Sequence, residues 1–252
     1  MKELVSTVKE VKQIAENTFS LTVTLPERVE VTGGQFLNIS TGDGSRLLKR
    51  PFGIVRAEGN DVTVCFQVKG DGTVALSDAK SGDKLNVLLP LGNGFVLPES
   101  AENIVVIGGG VGIFPLIPVI CGNNNKKFYS YIGFRNKSCA CLLDEFNKSE
   151  KLTVVTDDGS LGSKNNAVGA YFEEIDRVPA DLIIACGPPV MLRALKQKLK
   201  ENNIKTPCLV SLEERMGCGI GACLVCVCKK SDGGNARVCK DGPVFDINEV
   251  EL

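Results

Sequence analysis

Four cysteines near the C-terminal end of the chain have a chemically specific spacing. Residues 216–239 read MGCGIGACLVCVCKKSDGGNARVC and place Cys218, Cys223, Cys226 and Cys239 in a C-x4-C-x2-C-x12-C pattern. Three thiolates on one tight loop and a fourth from further along the chain are the ligand pattern of plant-type [2Fe–2S] clusters. The interleaved glycines permit positive φ angles, so that backbone N–H groups can face the sulfurs. The pattern therefore predicts a centre that moves single electrons.

A structural zinc site and a set of disulfides are the alternatives for these cysteines. Zinc sites usually pair their cysteines as C-x2-C…C-x2-C, whereas Cys218 stands alone five residues ahead of Cys223. Eleven cysteines, an odd number, in a chain without a secretory segment disfavour a disulfide scaffold. A fifth cysteine of the loop, Cys228, breaks the spacing that Cys226 keeps, and it is not expected to be a ligand.

The composition excludes several classes of function. Histidine is absent from all 252 residues, which excludes Rieske centres, Ser–His and Cys–His nucleophiles and histidine-ligated zinc or haem. A net charge of −1 without a basic run argues against nucleic acid as a partner. The longest apolar stretch, residues 104–121, contains four glycines and two prolines and is too broken for a membrane span. The charged N-terminus lacks a signal-peptide core, and we expect a cytoplasmic protein.

The pattern of apolar residues divides the chain into three predicted domains. Residues 1–100 contain short runs rich in Val, Ile, Phe and Thr between turn signals, which predict an antiparallel β-barrel. Residues 101–210 alternate strands and helices, the βαβ pattern of a doubly wound parallel sheet. Residues 211–252 form a small cluster module, and Cys208–Ser211 is predicted as the last strand of the sheet before it.

The barrel prediction rests on six strands, one helix over residues 73–80 and several turns, including one at Gly42-Asp43-Gly44. The predicted strands cover residues 5–12, 18–25, 35–40, 51–56, 62–68 and 84–89.

Two loops of the second domain follow predicted strands at the position where nucleotides bind. A glycine-rich turn opens a helix predicted over residues 113–121, where free N–H groups and the helix dipole favour an anion. Its glycines are Gly108, Gly109, Gly110 and Gly112. Cys186, Gly187 and Pro188 follow another strand of the same sheet. A packing role for the glycines and an ordinary strand-to-helix loop with proline at the helix start are the alternatives.

The predicted barrel contains a second candidate site for an anion. Arg50 opens one strand, and Gly72 lies at the start of the only predicted helix of the barrel. An arginine and a helix N-terminus brought together can bind a pyrophosphate through a bidentate charge and free amides. Taken singly, both turns are common structural features.

These segments occur in the order found in the ferredoxin–NADP reductase superfamily, which the chain resembles over essentially its whole length. That superfamily joins an FAD-binding β-barrel to a nicotinamide-nucleotide domain. The tail segments SLEERMGCGIGAC (residues 211–223) and VCKDGPVF (residues 238–245) closely resemble the family of electron-transfer subunits of type B dihydroorotate dehydrogenase. The segments in chain order cover residues 50–53, 70–73, 90–95, 108–115, 186–188, 211–223 and 238–245.

The resemblance implies three redox groups and a set of residues to hold them. NAD binds as a co-substrate at the glycine turn and at residues 186–188, the cysteines hold the [2Fe–2S] cluster, and no side chain is catalytic. FAD is held by Arg50, Pro51, Phe52, Gly53, Cys65, Phe66, Gln67, Gly72 and Thr73. The chain departs from the family at Gly53, where a Ser or Thr hydroxyl usually lies beside the flavin. NAD versus NADP stays open, with Arg135 a candidate for either role.

The resemblance also implies a partner. An FMN-containing catalytic subunit oxidises dihydroorotate in pyrimidine biosynthesis, and electrons pass singly through the cluster to FAD and then to NAD+. Two copies of each subunit form a heterotetramer. One alternative is a related FAD and [2Fe–2S] subunit of a hydrogenase or transhydrogenase. The other is a non-enzymatic adaptor whose tail is a zinc module with four cysteine ligands.

Overall fold

A closed β-barrel forms the N-terminal part of the structure, a computed structural model that describes residues 1–41 and 46–252. Its strands are β1 (Lys2–Ala15), β2 (Thr18–Thr24), β3 (Phe36–Ile39), β4 (Arg50–Glu58), β5 (Asp61–Gln67) and β6 (Lys84–Leu91). Neighbouring strands are antiparallel, and their order around the barrel is β1-β2-β5-β4-β3-β6. Alternate residues of β6 are buried, as a strand with one face in the core requires. Helix α1 (Asp71–Ser77) lies between β5 and β6 in the chain. The predicted barrel is confirmed, while the turn predicted at Gly42-Asp43-Gly44 lies outside the described residues.

A seven-stranded sheet forms the second part of the structure. Its strands are β7 (Asn103–Gly109), β8 (Lys127–Phe134), β9 (Lys151–Thr156), β10 (Ser163–Lys164), β11 (Leu182–Cys186), β12 (Cys208–Ser211) and β15 (Val244–Asp246), in the order β10-β9-β8-β7-β11-β12-β15. The α-helices are α2 (Ile117–Gly122), α3 (Ala167–Phe172) and α4 (Pro189–Glu201). The strand order reverses direction between β7 and β11, and such a switch point opens a crevice for ligands at the carboxyl ends of the strands.

Two details of the second domain differ from the sequence-based expectation. The segment predicted as one helix over residues 113–121 is a 3₁₀ helix, Gly110–Leu116, followed by α2. Pro115 and Pro118 lack the N–H groups that a continuous α-helix would need there. Cys208–Ser211 is also not the last strand, because β15 from the tail pairs antiparallel with it at the edge of the sheet.

The tail adds a small hairpin of its own, β13 (Val227–Lys229) paired with β14 (Asn235–Arg237). Residues 212–243 leave the sheet at the end of β12 and return to it at β15, where Ser211 is the register partner of Val244. None of the helices formed by residues 1–41 and 46–252 is both long and apolar enough to cross a lipid bilayer.

Candidate functional site

A cavity of about 230 Å³ lies where the barrel, the second sheet and the tail meet. The rings of Phe52 and Phe66 stand on its barrel side with their centroids 5.1 Å apart. The residues predicted for flavin and nucleotide binding that line it are Pro51, Phe52, Gly53, Cys65, Phe66, Gln67, Thr73, Gly112 and Cys186. A largely apolar pocket with aromatic side chains on one wall suits a flat ring system.

Arg50 and Gly72 lie beside each other at the start of α1. A Cβ added at Gly72 would overlap the guanidinium group of Arg50, so only glycine allows this approach. Arg50 also donates to the carbonyl of Leu48. The Thr73 hydroxyl accepts from the N–H of Gly70 at 3.1 Å and donates to its carbonyl at 2.8 Å, which fixes the turn before the helix. The structure thus brings together the arginine and the helix start that a pyrophosphate site needs.

We expect Arg50→Ala to weaken FAD retention about tenfold or more, because a charge-assisted pair of hydrogen bonds contributes on the order of 1.5–3 kcal/mol. Flavin content after dialysis measures the effect. Lys49→Ala is the matched control, because Lys49 carries the same charge but pairs with Glu3 on β1. Flavin content unchanged by Arg50→Ala, or lowered equally by Lys49→Ala, would contradict this role.

Gly53 lines the cavity on the barrel side. A Cβ added there would lie 3.4 Å from the Cβ of Pro115, which is ordinary van der Waals contact. Crowding therefore does not explain why this chain lacks the hydroxyl residue that its resemblance leads us to expect.

The carboxyl ends of three neighbouring strands meet at the cavity. Gly108 of β7 is the register partner of Cys186 of β11, which in turn pairs with Ser211 of β12. A Cβ added at Gly112 would lie 2.5 Å from the carbonyl oxygen of Cys186 and 2.6 Å from the Cα of Gly187. The two predicted nucleotide loops therefore touch, and Gly112 is required for that contact.

The other glycines of the turn have separate roles. A Cβ added at Gly109 would lie 2.6 Å from the sulfur of Met191 and 3.2 Å from Cδ of Pro188, so Gly109 serves packing against α4. Gly110 has φ +54° and faces open space with respect to the residues that the structure describes. Because a 3₁₀ helix follows, the α-helix dipole expected at this turn is not present. Gly110 leaves open space beside the turn, whereas Val111 and Gly112 are the residues of this segment that line the cavity.

Sequence reasoning missed the contribution of the tail to the cavity. Residues that were not assigned to the site complete its lining, among them Lys69, Ser211, Leu212, Glu213, Glu214 and Met216. The sequence contained a signal for this contribution, because Ser211 ends a parallel strand and such ends meet at one edge of the sheet.

Burial raises the pKa of the Cys186 thiol to about 12, so this group is neutral at neutral pH.

Backbone N–H groups of the predicted cluster loop point at the cysteine sulfurs. The Cys218 sulfur accepts from the N–H groups of Ile220 at 3.4 Å, Ala222 at 3.3 Å and Cys223 at 3.4 Å. Burial raises the pKa of Cys218, but the N–H groups of Ile220, Cys223 and Ala222 outweigh it and lower that pKa to about 6. The loop therefore favours a thiolate before any metal is bound. Gly219 allows this shape with φ +73°.

The four predicted ligands form two pairs. The N–H of Cys218 donates to the sulfur of Cys223 at 3.3 Å, and the N–H of Cys239 donates to the sulfur of Cys226 at 3.4 Å. Burial and then contact with Cys226 raise the pKa of Cys239 to about 12. Within the described part of the chain, no three His, Cys, Asp or Glu side chains are close enough together to hold a single metal ion. Two pairs of thiol donors fit a two-iron cluster, in which each iron takes two of the four thiolates.

Cys228 differs from these four cysteines in its surroundings. It lies on β13 opposite Ala236 of β14, within the hairpin. Burial raises the pKa of its thiol as it does at Cys239, so the position of Cys228 on the hairpin, and not the direction of its pKa shift, distinguishes it.

A buried amide links the cluster loop to the barrel. The Nδ2 atom of Asn38 on β3 lies only 2.2 Å from the position that a Cβ at Gly219 would take. Asn38 is 1% exposed, and its Oδ1 has no hydrogen-bond partner among the described residues. A buried oxygen of this kind is normally satisfied by a bound group or an ordered water.

Comparisons with known proteins agree on one family. A family model described as the iron–sulfur cluster binding domain of dihydroorotate dehydrogenase B matches residues 213–251. The electron transfer subunit of dihydroorotate dehydrogenase B (NAD(+)) from Streptococcus mutans is 36% identical over an alignment of 262 positions, gaps included, which covers 100% of this chain and 99% of the relative. The corresponding subunit from Caldanaerobacter subterraneus subsp. tengcongensis is 41% identical over 220 residues, which cover 86% of each chain.

Solved structures show the same fold. An NADH-dependent reduced ferredoxin–NADP oxidoreductase, studied for flavin-based electron bifurcation, superposes with a TM-score of 0.87 at 28% identity and covers 98% of this chain and 89% of that chain. Phthalate dioxygenase reductase, which transfers electrons from pyridine nucleotides to [2Fe–2S], has a TM-score of 0.69 at 17% identity and covers 98% of this chain and 77% of that chain. The second likeness concerns the fold alone.

Proposed function

The chain belongs to the family of electron-transfer subunits of dihydroorotate dehydrogenase B, and we propose that it passes electrons from dihydroorotate oxidation to NAD+ by way of a [2Fe–2S] cluster and FAD. When bound, these groups supply the redox chemistry, while the chain supplies binding, orientation and electrostatics. The observation that carries the proposal is one cavity lined together by the barrel, by the carboxyl edge of the second sheet and by the strand end that leads to the cluster loop. Residues 1–100, 101–210 and 211–252 are proposed as the three units of this function.

FAD binding is assigned to the barrel side of the cavity. Arg50 and the start of α1 at Gly72 would hold the pyrophosphate, because the guanidinium group lies against that turn. The ring pair of Phe52 and Phe66 offers an apolar wall for the flavin ring. Gln67 lines the same cavity and supplies a polar contact.

NAD binding is assigned to the carboxyl edge of the second sheet. The open space at Gly110 admits the dinucleotide, and the contact between Gly112 and the loop that begins at Cys186 shapes its seat. The neutral thiol of Cys186 lines the cavity on the side of the second sheet and would contact the bound dinucleotide. The choice of NAD over NADP rests on the relatives from Streptococcus mutans and Caldanaerobacter subterraneus, which belong to the NAD(+) form of the enzyme.

The subunit requires a catalytic partner, which we propose to carry FMN and to assemble with this chain as two copies of each. Support comes from the surface around the cluster loop. Leu224 and Val225 of that loop are 62% and 54% exposed, next to the exposed Cys223. Apolar side chains that surround a redox centre favour a protein partner over bulk water. Eleven free thiols support a reducing compartment, and we propose the cytoplasm.

The bound groups of the purified chain test this function directly. We expect about one FAD, two irons and two sulfides per chain, with flavin and cluster bands in the visible spectrum that NADH bleaches. A sample depleted of iron by a chelator should keep the flavin bands and serves as the control. A colourless chain that contains zinc would establish the adaptor alternative instead. A chain whose visible bands respond to NADPH but not to NADH would contradict the assignment of NAD.

A further inference from the structure

We propose that Arg237, held in place by Asp241, is a positioning residue that raises the reduction potential of the cluster by polarising the peptide group between Gly221 and Ala222. This inference rests on the proposed function, because it requires that the four cysteines hold a [2Fe–2S] cluster. It assigns a physical role to the conspicuous tail segment VCKDGPVF, in which Asp241 follows the last cysteine by two positions.

The guanidinium group of Arg237 is oriented by a two-pronged contact with Asp241. Its Nε donates to Oδ2 at 3.0 Å, and its Nη2 donates to Oδ1 at 2.9 Å. The backbone N–H of Arg237 donates to the same carboxylate at 2.8 Å. Such a planar fork fixes both side chains more firmly than a point charge would. The fork leaves Nη1 of Arg237 free to reach the cluster loop.

Asp241 is itself tied to the barrel and to the hairpin. Asn93, which follows β6, donates to the Asp241 carbonyl at 3.1 Å. The N–H of Asp241 donates to the Arg237 carbonyl at 2.8 Å. The carboxylate therefore has a fixed position relative to the rest of the protein, and so does the arginine that it orients.

The third contact of Arg237 reaches the peptide group that faces the cluster. Nη1 donates to the carbonyl of Gly221 at 3.3 Å, and the N–H of Ala222, on the other side of that same peptide group, donates to the sulfur of Cys218 at 3.3 Å. A cation on the carbonyl polarises the peptide and strengthens its N–H as a donor. Hydrogen bonds and positive charge at the ligand sulfurs stabilise the reduced cluster, which carries one more negative charge.

The neighbouring peptide group adds to the same effect. The N–H of Gly221 donates to the sulfur of Cys239 at 3.1 Å, the shortest of the N–H···S contacts in the loop. Gly221 has φ +83°, which turns these two successive amides toward the sulfurs of different cysteine pairs. A side chain that fixes the Gly221 carbonyl therefore fixes donors to both halves of the cluster.

Lys240 provides a matched control for charge alone. Its Cδ lies 2.7 Å from the position of a Cβ at Gly221, so that it flanks the same residue as Arg237. Its side chain makes no hydrogen bond to any residue in the described part of the chain, whereas Arg237 binds the loop carbonyl. Removing either cation lowers the formal charge of this segment by one unit, and only the change at Arg237 removes the hydrogen bond to the loop.

The test is a redox titration of the cluster, followed by its electron paramagnetic resonance signal, in the full-length chain with FAD bound. We expect Arg237→Met to lower the equilibrium constant for one-electron reduction about tenfold, which corresponds to a potential about 59 mV more negative. Arg237→Lys should restore at least about half of this shift, because lysine keeps a donor and the charge. Lys240→Met should shift the potential by less than about a third as much. Iron per chain is measured in each variant.

Three outcomes would overturn the proposal. The first is an unchanged potential in Arg237→Met, and the second is a shift of equal size in Lys240→Met. The third is loss of iron in both Arg237→Met and Arg237→Lys, because the Arg237 side chain would then be needed for cluster assembly. If only Arg237→Met loses iron, Arg237→Gln, which removes the charge, replaces it in the titration, and an unchanged potential in Arg237→Gln would overturn the proposal. A wild-type chain without iron would contradict the cluster assignment and the proposed function, a result distinct from all of these.

Discussion

Replacing Cys223 by serine should remove the [2Fe–2S] cluster, so that the purified chain keeps its flavin but loses its iron and sulfide. Cys223 is exposed, and its sulfur forms a pair with Cys218 in the cluster loop. A serine hydroxyl is a poor ligand for iron in a site built for four thiolates, and a half-ligated iron is lost. Iron and sulfide per chain, with the visible spectrum, measure the result.

Cys228→Ser is the matched control, because it makes the same chemical change in the adjoining hairpin. Cys228 lies opposite Ala236 on β14 and breaks the ligand spacing that Cys226 keeps, so it should be replaceable with full retention of iron. Cluster retention in Cys223→Ser, or cluster loss in Cys228→Ser alone, would show that the wrong cysteines have been assigned. The same measurement on Cys218→Ser, Cys226→Ser and Cys239→Ser completes the set.

The isolated chain should pass electrons from NADH to artificial dyes and should not oxidise dihydroorotate. The NADH reaction needs only FAD in the barrel and NAD at the sheet edge, and both sites are assigned to residues around one cavity. Dihydroorotate oxidation needs a general base beside a second flavin, and all the flavin-binding residues assigned in this chain belong to the one FAD site. Dye reduction and orotate formation, assayed with and without the FMN-containing partner, separate the two halves of the reaction.

Adding the partner should create dihydroorotate:NAD+ activity, and Cys223→Ser should abolish it while NADH-dependent dye reduction continues. Cys228→Ser should leave both activities intact, which controls for the loss of a thiol. Orotate formation by the pure chain would contradict the assignment of dihydroorotate oxidation to the partner subunit. Coupled activity that survives loss of the cluster would contradict the route through the cluster.

Much of the fold was predictable because short-range patterns determine it. The strand predicted over residues 84–89 matches Lys84–Leu91, since buried Leu85, Val87 and Leu89 alternate with outward-facing residues. The helix predicted over residues 113–121 was only partly right, because Pro115 and Pro118 divide it into a 3₁₀ and an α segment. Three-residue β15 has no readable period, and it exists only because β12 pairs with it.

The parts of the candidate site that depend on the spacing of nearby residues were predictable from the sequence. The cysteine pattern and the glycine turns are local, whereas the barrel residues near Cys65 and Gln67 came from resemblance to a family. The contribution of Glu213 and Met216 to the cavity depends on where β12 ends in space. The contact from Arg237 to the Gly221 carbonyl spans 16 residues and has no signature in the sequence.

The return of the tail to β12 affects how fast electrons can move between the proposed cluster site and the flavin cavity. Ser211 and Val244 are register partners, and the N–H of Leu212 donates to the Pro243 carbonyl at 2.9 Å, so both ends of the cluster segment are fastened to one sheet. A carrier domain on a single flexible linker must find its docking pose by diffusion in every turnover. Here the folded sheet fixes the separation between the proposed cluster site and the cavity, and we expect electron transfer between them without such a search.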